Sequence, residues 1–128
     1  MKSKCEIREI SKKIRLKEKK RIGQNCINSE RFSLLISKIQ KKYKISNIGI
    51  YYPIKNEISP LKIFEISKFT NFEVCFPKII ETQDELIFEK CDDLNDLVRG
   101  IYGTFELNKT GIKVIPEIIF VPLLAFDT

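Results

Sequence analysis

The stretch NIGIYYPIKNEISPLKIFEISKFTNFEVCF, residues 47–76, decides the fold class. Ile48, Ile50, Tyr51 and Tyr52 suit a short core strand, which Pro53 closes because proline has no N–H to give a central ladder. The next segment, SPLKIFEISKF, reads as a helix. Ser59 can cap it, Pro60 fits the first helical position, and Leu61, Phe64 and Phe69 line one face. FEVCF, residues 72–76, is rich in strand formers and reads as a second strand ending at Pro77. Strand, helix and strand in this order form a βαβ unit, whose two strands run parallel. The expected fold is α/β: an open, partly parallel sheet with helices on its faces.

Upstream, CEIREISKKIRLKEKKR places Ile7, Ile10 and Ile14 at spacings of three and four. This predicts a helix with a narrow apolar stripe and a basic back. Gly23, Asn25, Asn28 and Ser29 interrupt it. A second helix is predicted over residues 29–43, with Ser29 as cap and Phe32, Leu35, Ile36, Ile39 and Tyr43 on one face. Downstream, residues 85–88 (ELIF) read as a strand and residues 92–100 (DDLNDLVRG) as a short helix or turn ended by Gly100. Residues 113–115 read as a brief extended piece and residues 117–121 as a last strand stopped by Pro122. There is no repeat, low-complexity tract or long linker. One domain over residues 1–128 is expected, with residues 1–44 a basic helical segment that covers the sheet.

Composition narrows the chemistry. The 128 residues include no histidine, which removes Ser-His-Asp, Cys-His and imidazole acid–base catalysis. The cysteines at 5, 26, 75 and 91 lack CxxC spacing, so ordinary reduced thiols are expected. No apolar run is long enough to span a bilayer, and the N-terminus has no signal-type apolar stretch. With Glu6, Glu9 and Glu18 set against a transit peptide, a cytoplasmic location without membrane association is expected. Residues 1–44 hold 15 basic and 4 acidic side chains, a net +11, and residues 45–128 hold 8 and 13, a net −5. Such a basic arm can meet RNA, an anionic membrane or the phosphates of a small ligand. No RNP-type aromatic pattern, KH loop or finger spacing accompanies it, so nucleic acid is not the expected partner.

The segments IYYPIKNEISPLKIFE, VCFPK, LIF, GIYGTFE and IIFVPLLAFD follow one another within residues 12–127. Together they resemble the 5-formyltetrahydrofolate cyclo-ligase (5,10-methenyltetrahydrofolate synthetase) family. VPLLAFD directly after a strand and Y-x-P-x-x-x-E at residues 51–57 are the most specific pieces. The resemblance implies ATP- and Mg²⁺-dependent conversion of 5-formyltetrahydrofolate to 5,10-methenyltetrahydrofolate. In that reaction the formyl oxygen is phosphorylated, N10 closes the ring and phosphate leaves.

The resemblance also implies residue roles. Glu57 would accept hydrogen bonds from the pterin N–H groups of the folate. Leu86 and Phe88 would form an apolar pair near it. Gly100, Tyr102, Gly103 and Glu106 match a segment G-x-G-I-x-E-P, with Leu107 in place of the proline, and put Tyr102 and Glu106 at the folate. Arg15, with Lys12, would reach nucleotide phosphate, although Ser11 stands where a second basic residue is frequent. Asp127 would lie near the nucleotide and metal. Read from the residues alone, Tyr51 and Tyr52 at a strand end either stack on a flat ring or belong to the core, and Lys78, following a strand end, could face the folate carboxylates. No catalytic residue is assigned.

In the family the AFD segment leads into a glycine-rich phosphate loop, whereas this sequence stops at Thr128. The expectation is therefore a sheet incomplete at its C-terminal side, with the activity of the chain an open question. A second polypeptide carrying the loop could complete it. The alternatives are an inactive fragment, one half of a split enzyme, or a small basic RNA-binding or interaction protein.

Overall fold

The structure, a computed structural model, describes residues 3–22, 29–83 and 85–123. Asp127 lies outside them. Helix α1 (Lys4–Ile22) opens with a capping box. The Ser3 hydroxyl accepts from the Glu6 N–H, and the Glu6 carboxylate accepts from the Ser3 N–H. Helix α2 (Ser29–Tyr43) spans the predicted residues. Its buried face is narrower than expected: Phe32 and Ile36 are buried and Ile39 packs beside them, while Leu35 and Tyr43 are exposed. The helix ends at Lys44, which takes a positive φ of 50°.

Strand β1 (Asn47–Gly49), helix α3 (Lys62–Ser67) and strand β2 (Glu73–Ile80) form the predicted βαβ unit. β1 pairs parallel with β2, in the register Ile48 to Val74 and Gly49 to Cys75. β1 is shorter than expected, and the Ile50 N–H makes one further bond to the Cys75 carbonyl. α3 begins after Leu61 rather than at Pro60, and the Ser59 hydroxyl accepts from the Leu61 N–H at 3.4 Å. The helix stops at Ser67, where Ser67 and Thr70 hydroxyls bond back to the Phe64 and Ile66 carbonyls. Phe69 therefore falls beyond it and is exposed, not on its apolar face.

β2 does not end at Pro77. It runs to Ile80 and pairs antiparallel with β3 (Glu85–Lys90). The Val74 carbonyl accepts from the Cys91 N–H at 2.9 Å, so the even-numbered residues of β2 bond to β3. Pro77 sits at a position whose N–H would point the other way, toward β1, so it costs the β2–β3 ladder nothing.

Residues 92–100 contain a 3₁₀ turn over Leu94–Asp96 and then strand β4 (Leu97–Arg99). β4 forms a hairpin with β5 (Phe105–Leu107) that the sequence reading did not anticipate. Residues 113–115 contribute a single bridge from Lys113 to Glu89 on the outer edge of β3. β6 (Ile118–Ile119) pairs parallel with β1, and the Phe120 N–H donates to the Gly49 carbonyl. The Glu117 carboxylate fastens the start of β6 to β1 by accepting from the Ser46 and Asn47 N–H groups. The sheet order is β3-β2-β1-β6.

Side chains alternate across a sheet, so the register defines two faces. The first carries Ile48, Ile50, Val74, Phe76 and Ile118, and packs with Phe32 and Ile36 of α2, Ile63 and Phe64 of α3, and Leu107 of β5. The second carries Gly49, Cys75, Pro77, Leu86, Phe88 and Ile119. α2 thus covers the sheet as expected, whereas the Ile7, Ile10 and Ile14 stripe of α1 stays exposed.

Burial pushes the Cys75 thiol up to about 12, with the Glu73 charge adding to it, and the Cys91 thiol up to about 11. Both keep their protons in the folded chain at pH values where an unfolded cysteine, near pH 8.5, has lost them. Stability is therefore expected to fall as pH rises from about 8.5 toward 11. Thiol labelling at neutral pH should modify exposed Cys5 well before Cys75 and Cys91. Equal labelling rates in the folded protein would contradict their burial.

Candidate functional site

β1 lies between β2, which follows it through α3, and β6, which comes from the far end of the chain. In open α/β sheets a crevice opens at such a switch point, beyond the carboxyl ends of the strands. Two segments leave these ends: residues 50–57 after β1 and residues 120–123 after β6.

The first segment makes a tight turn. The Glu57 N–H donates to the Ile54 carbonyl at 3.1 Å, and the Glu57 carboxylate accepts from the Ile54 N–H at 3.0 Å. Lys55, at the apex, has φ 52°, a left-handed conformation that the reciprocal bonds hold in place. Glu57 is thus half-buried and oriented, and a carboxylate has capacity for more than this one bond. The Tyr51 hydroxyl donates to the Ile58 carbonyl at 2.6 Å. Burial raises the Tyr51 pKa, the nearby Glu57 charge raises it further, and Arg15 opposes both. Arg15 reaches this place from α1 and donates to the Leu123 carbonyl. Arg15, Tyr51, Glu57 and Leu123 therefore gather where β1 and β6 end.

Beside them lies a cleft of about 510 Å³ between residues 52–55 and the β4–β5 hairpin, with Arg99, Tyr102, Gly103 and Phe105 on the hairpin side. Its wall is aromatic: Tyr52 packs on Phe105 with ring centroids 4.3 Å apart. Gly103 has φ 73°, the conformation its turn requires, and a side chain there would approach the Arg99 guanidinium. Gly100 is needed for a different reason, because a Cβ there would lie 2.9 Å from the Glu106 side chain.

The structure brings some of the expected residues together and leaves others apart. Tyr102 lines the cleft, Glu57 braces its rim, and Glu106 sits behind the hairpin loop beside Gly100. Arg15 is at the crevice. Lys12 is exposed on α1 and pairs with Glu9 at 2.7 Å. Leu86 and Phe88 are on the second face and do not line the cleft; Phe88 lies over Gly49. Lys78 is engaged with Glu89 at 3.5 Å on the first face. Lys55, Arg99 and Phe105 were not singled out from the sequence. The signal was there in LVRGIYGTFEL, two short alternating runs around a glycine-bounded loop, which is a hairpin pattern.

The structure is an open α/β domain with a crevice at the carboxyl end of its central strand. The NMR structure of Aquifex aeolicus 5,10-methenyltetrahydrofolate synthetase has this fold: it matches 96% of the present chain with a TM-score of 0.61 and 24% sequence identity. The likeness is one of fold, and the match spans 62% of the Aquifex chain. No family model matches the sequence, and no curated protein matches it. Among the described residues no helix is long and apolar enough to cross a membrane.

Proposed function

We propose that this chain is a folate-binding domain of the 5-formyltetrahydrofolate cyclo-ligase type. The observation that carries the reading is Glu57, a carboxylate fixed by its own turn at the switch point and adjoining an aromatic cleft. A reduced pterin is flat and rich in N–H donors, and such a carboxylate can accept two of them side by side. Tyr52, Phe105 and Tyr102 offer surfaces for its rings. Lys55 and Arg99, which have no ion-pair partner among the described residues, give the cleft a positive rim suited to the ligand's carboxylates.

The reaction that accompanies this ligand in the proposal is ATP- and Mg²⁺-dependent closure to 5,10-methenyltetrahydrofolate. Arg15 at the crevice and Lys12 on the same helix are the cations available to nucleotide phosphates. The metal does not find a ligand set: among the described residues no group of three or more His, Cys, Asp or Glu could hold an ion. The proposal therefore rests on ligand binding and assigns no residue to a metal-dependent step.

The test is equilibrium binding of 5-formyltetrahydrofolate to the wild type and to Glu57→Gln. Glutamine keeps an acceptor for the Ile54 N–H, so the turn survives while the charge is lost. A hydrogen bond to a charged group contributes about 1.5–3 kcal/mol, so affinity should fall about 10- to 100-fold. Unchanged affinity, or no binding by the folded wild type, overturns the reading. Formation of the methenyl product with ATP and Mg²⁺, measured on the same two proteins, tests the reaction separately.

A further inference from the structure

The turn that carries Glu57 is closed twice. The inner closure joins Glu57 to Ile54 by two bonds, its N–H to the Ile54 carbonyl at 3.1 Å and its carboxylate to the Ile54 N–H at 3.0 Å. These bonds fix Glu57 relative to Ile54, but not relative to the sheet. The outer closure supplies that tie. Ile50 is still held by β2, since its N–H donates to the Cys75 carbonyl. Tyr51 follows directly, and its hydroxyl reaches seven residues along the chain to donate to the Ile58 carbonyl at 2.6 Å. Ile58 is the residue after Glu57.

We propose that Tyr51 is a positioning residue for the ligand-binding carboxylate: its phenol is a strap from the end of β1 to the neighbour of Glu57, and it sets where Glu57 stands over the crevice. The ligand in this inference rests on the folate reading; the strap itself does not. A phenol suits the task because its ring is rigid and only two torsions need fixing. The ring is half-buried, and burial, with the Glu57 charge adding to it against Arg15, raises the Tyr51 pKa, so the hydroxyl keeps its proton and stays a donor. The turn needs holding, because Lys55 at its apex has φ 52°, a left-handed conformation that persists only where its surroundings enforce it. Tyr51 is also absent from the cleft wall, where Tyr52 packs on Phe105. The adjacent tyrosines thus divide the work, one as wall and one as strap.

Tyr51→Phe tests this, because it removes the hydroxyl and keeps the ring. Affinity for 5-formyltetrahydrofolate is expected to fall about five- to tenfold, the effect of one lost hydrogen bond. In a Glu57→Gln background the same change should cost about twofold or less, because the strap acts through the carboxylate. Amide hydrogen exchange without ligand gives a second readout. The Ile54 and Glu57 N–H groups should exchange about fivefold faster or more in Tyr51→Phe, while those of β2 keep their rates. Unchanged affinity in Tyr51→Phe overturns the proposal, as does an equal loss in both backgrounds or unchanged exchange at Ile54 and Glu57. If the folded wild type binds no folate, the folate reading fails by itself. The exchange comparison needs no ligand, and faster exchange at the two amides then still supports the strap while unchanged exchange overturns it.

Discussion

Phe76→Ala is expected to lower the unfolding free energy by about 3–5 kcal/mol. Phe76 is 1% exposed and stands in the middle of β2, the strand with β1 on one side and β3 on the other. Its ring points into the first face among residues of α2, α3 and β5. With paired strands on both sides, the backbone cannot move in to fill the space left by the ring, so most of the cavity persists. A domain of this size has a total stability of about 5–15 kcal/mol, and the variant should be largely or marginally unfolded at physiological temperature. Phe69→Ala is the control. It deletes the same ring from a position that is 91% exposed, and should change stability by less than about 0.5 kcal/mol. Urea denaturation of both variants gives the comparison. Similar midpoints would mean that the core is not centred on β2.

Lys78→Met should cost nearly as much, about 3 kcal/mol, for a different reason. Glu89 is 1% exposed on the core side of β3, opposite Phe76, and its carboxylate meets the Lys78 ammonium at 3.5 Å. Removing the lysine leaves a buried carboxylate without its ion-pair partner. Removing both, in Lys78→Met/Glu89→Leu, replaces the pair with apolar groups of similar bulk and should recover most of the loss, since such replacements are often neutral. The double-mutant cycle measures the coupling directly. If the double variant is as unstable as the sum of the single ones, the two side chains are not coupled and the ion pair is not what compensates Glu89.

The sequence revealed the βαβ unit because strand and helix signals there agree with the packing. β-Branched and aromatic runs are bounded by prolines, and a Ser-Pro start opens the helix. It also located both long helices, whose periodicity and tertiary role coincide in α2. It failed where a tertiary neighbour overrides a local signal. Pro77 reads as a strand end, yet it occupies a position that owes β3 no N–H. Leu35 and Tyr43 share the apolar side of α2, yet the core it meets buries only Phe32 and Ile36, with Ile39 packed at its margin. The β4–β5 hairpin is too short for either period to stand out. The site was half legible for the same reason. Glu57 and Arg15 lie in segments with recognisable sequence, whereas Lys55 and Arg99 become neighbours only once the hairpin folds against residues 52–55.

Pro77 also explains where the crevice opens. In a parallel ladder the residue after Gly49 donates to Cys75 and accepts from the residue two further along β2, which is Pro77. The first bond is made and the second has no hydrogen to make it. The rungs between β1 and β2 therefore stop at Ile50, while β2 continues with β3 for three more residues. Released from its neighbour, the chain turns away through Tyr51 and Tyr52 and brings Glu57 to the rim. The opening is thus written into the main chain by one missing hydrogen atom, and the side chains that could hold a ligand occupy a gap they did not have to create.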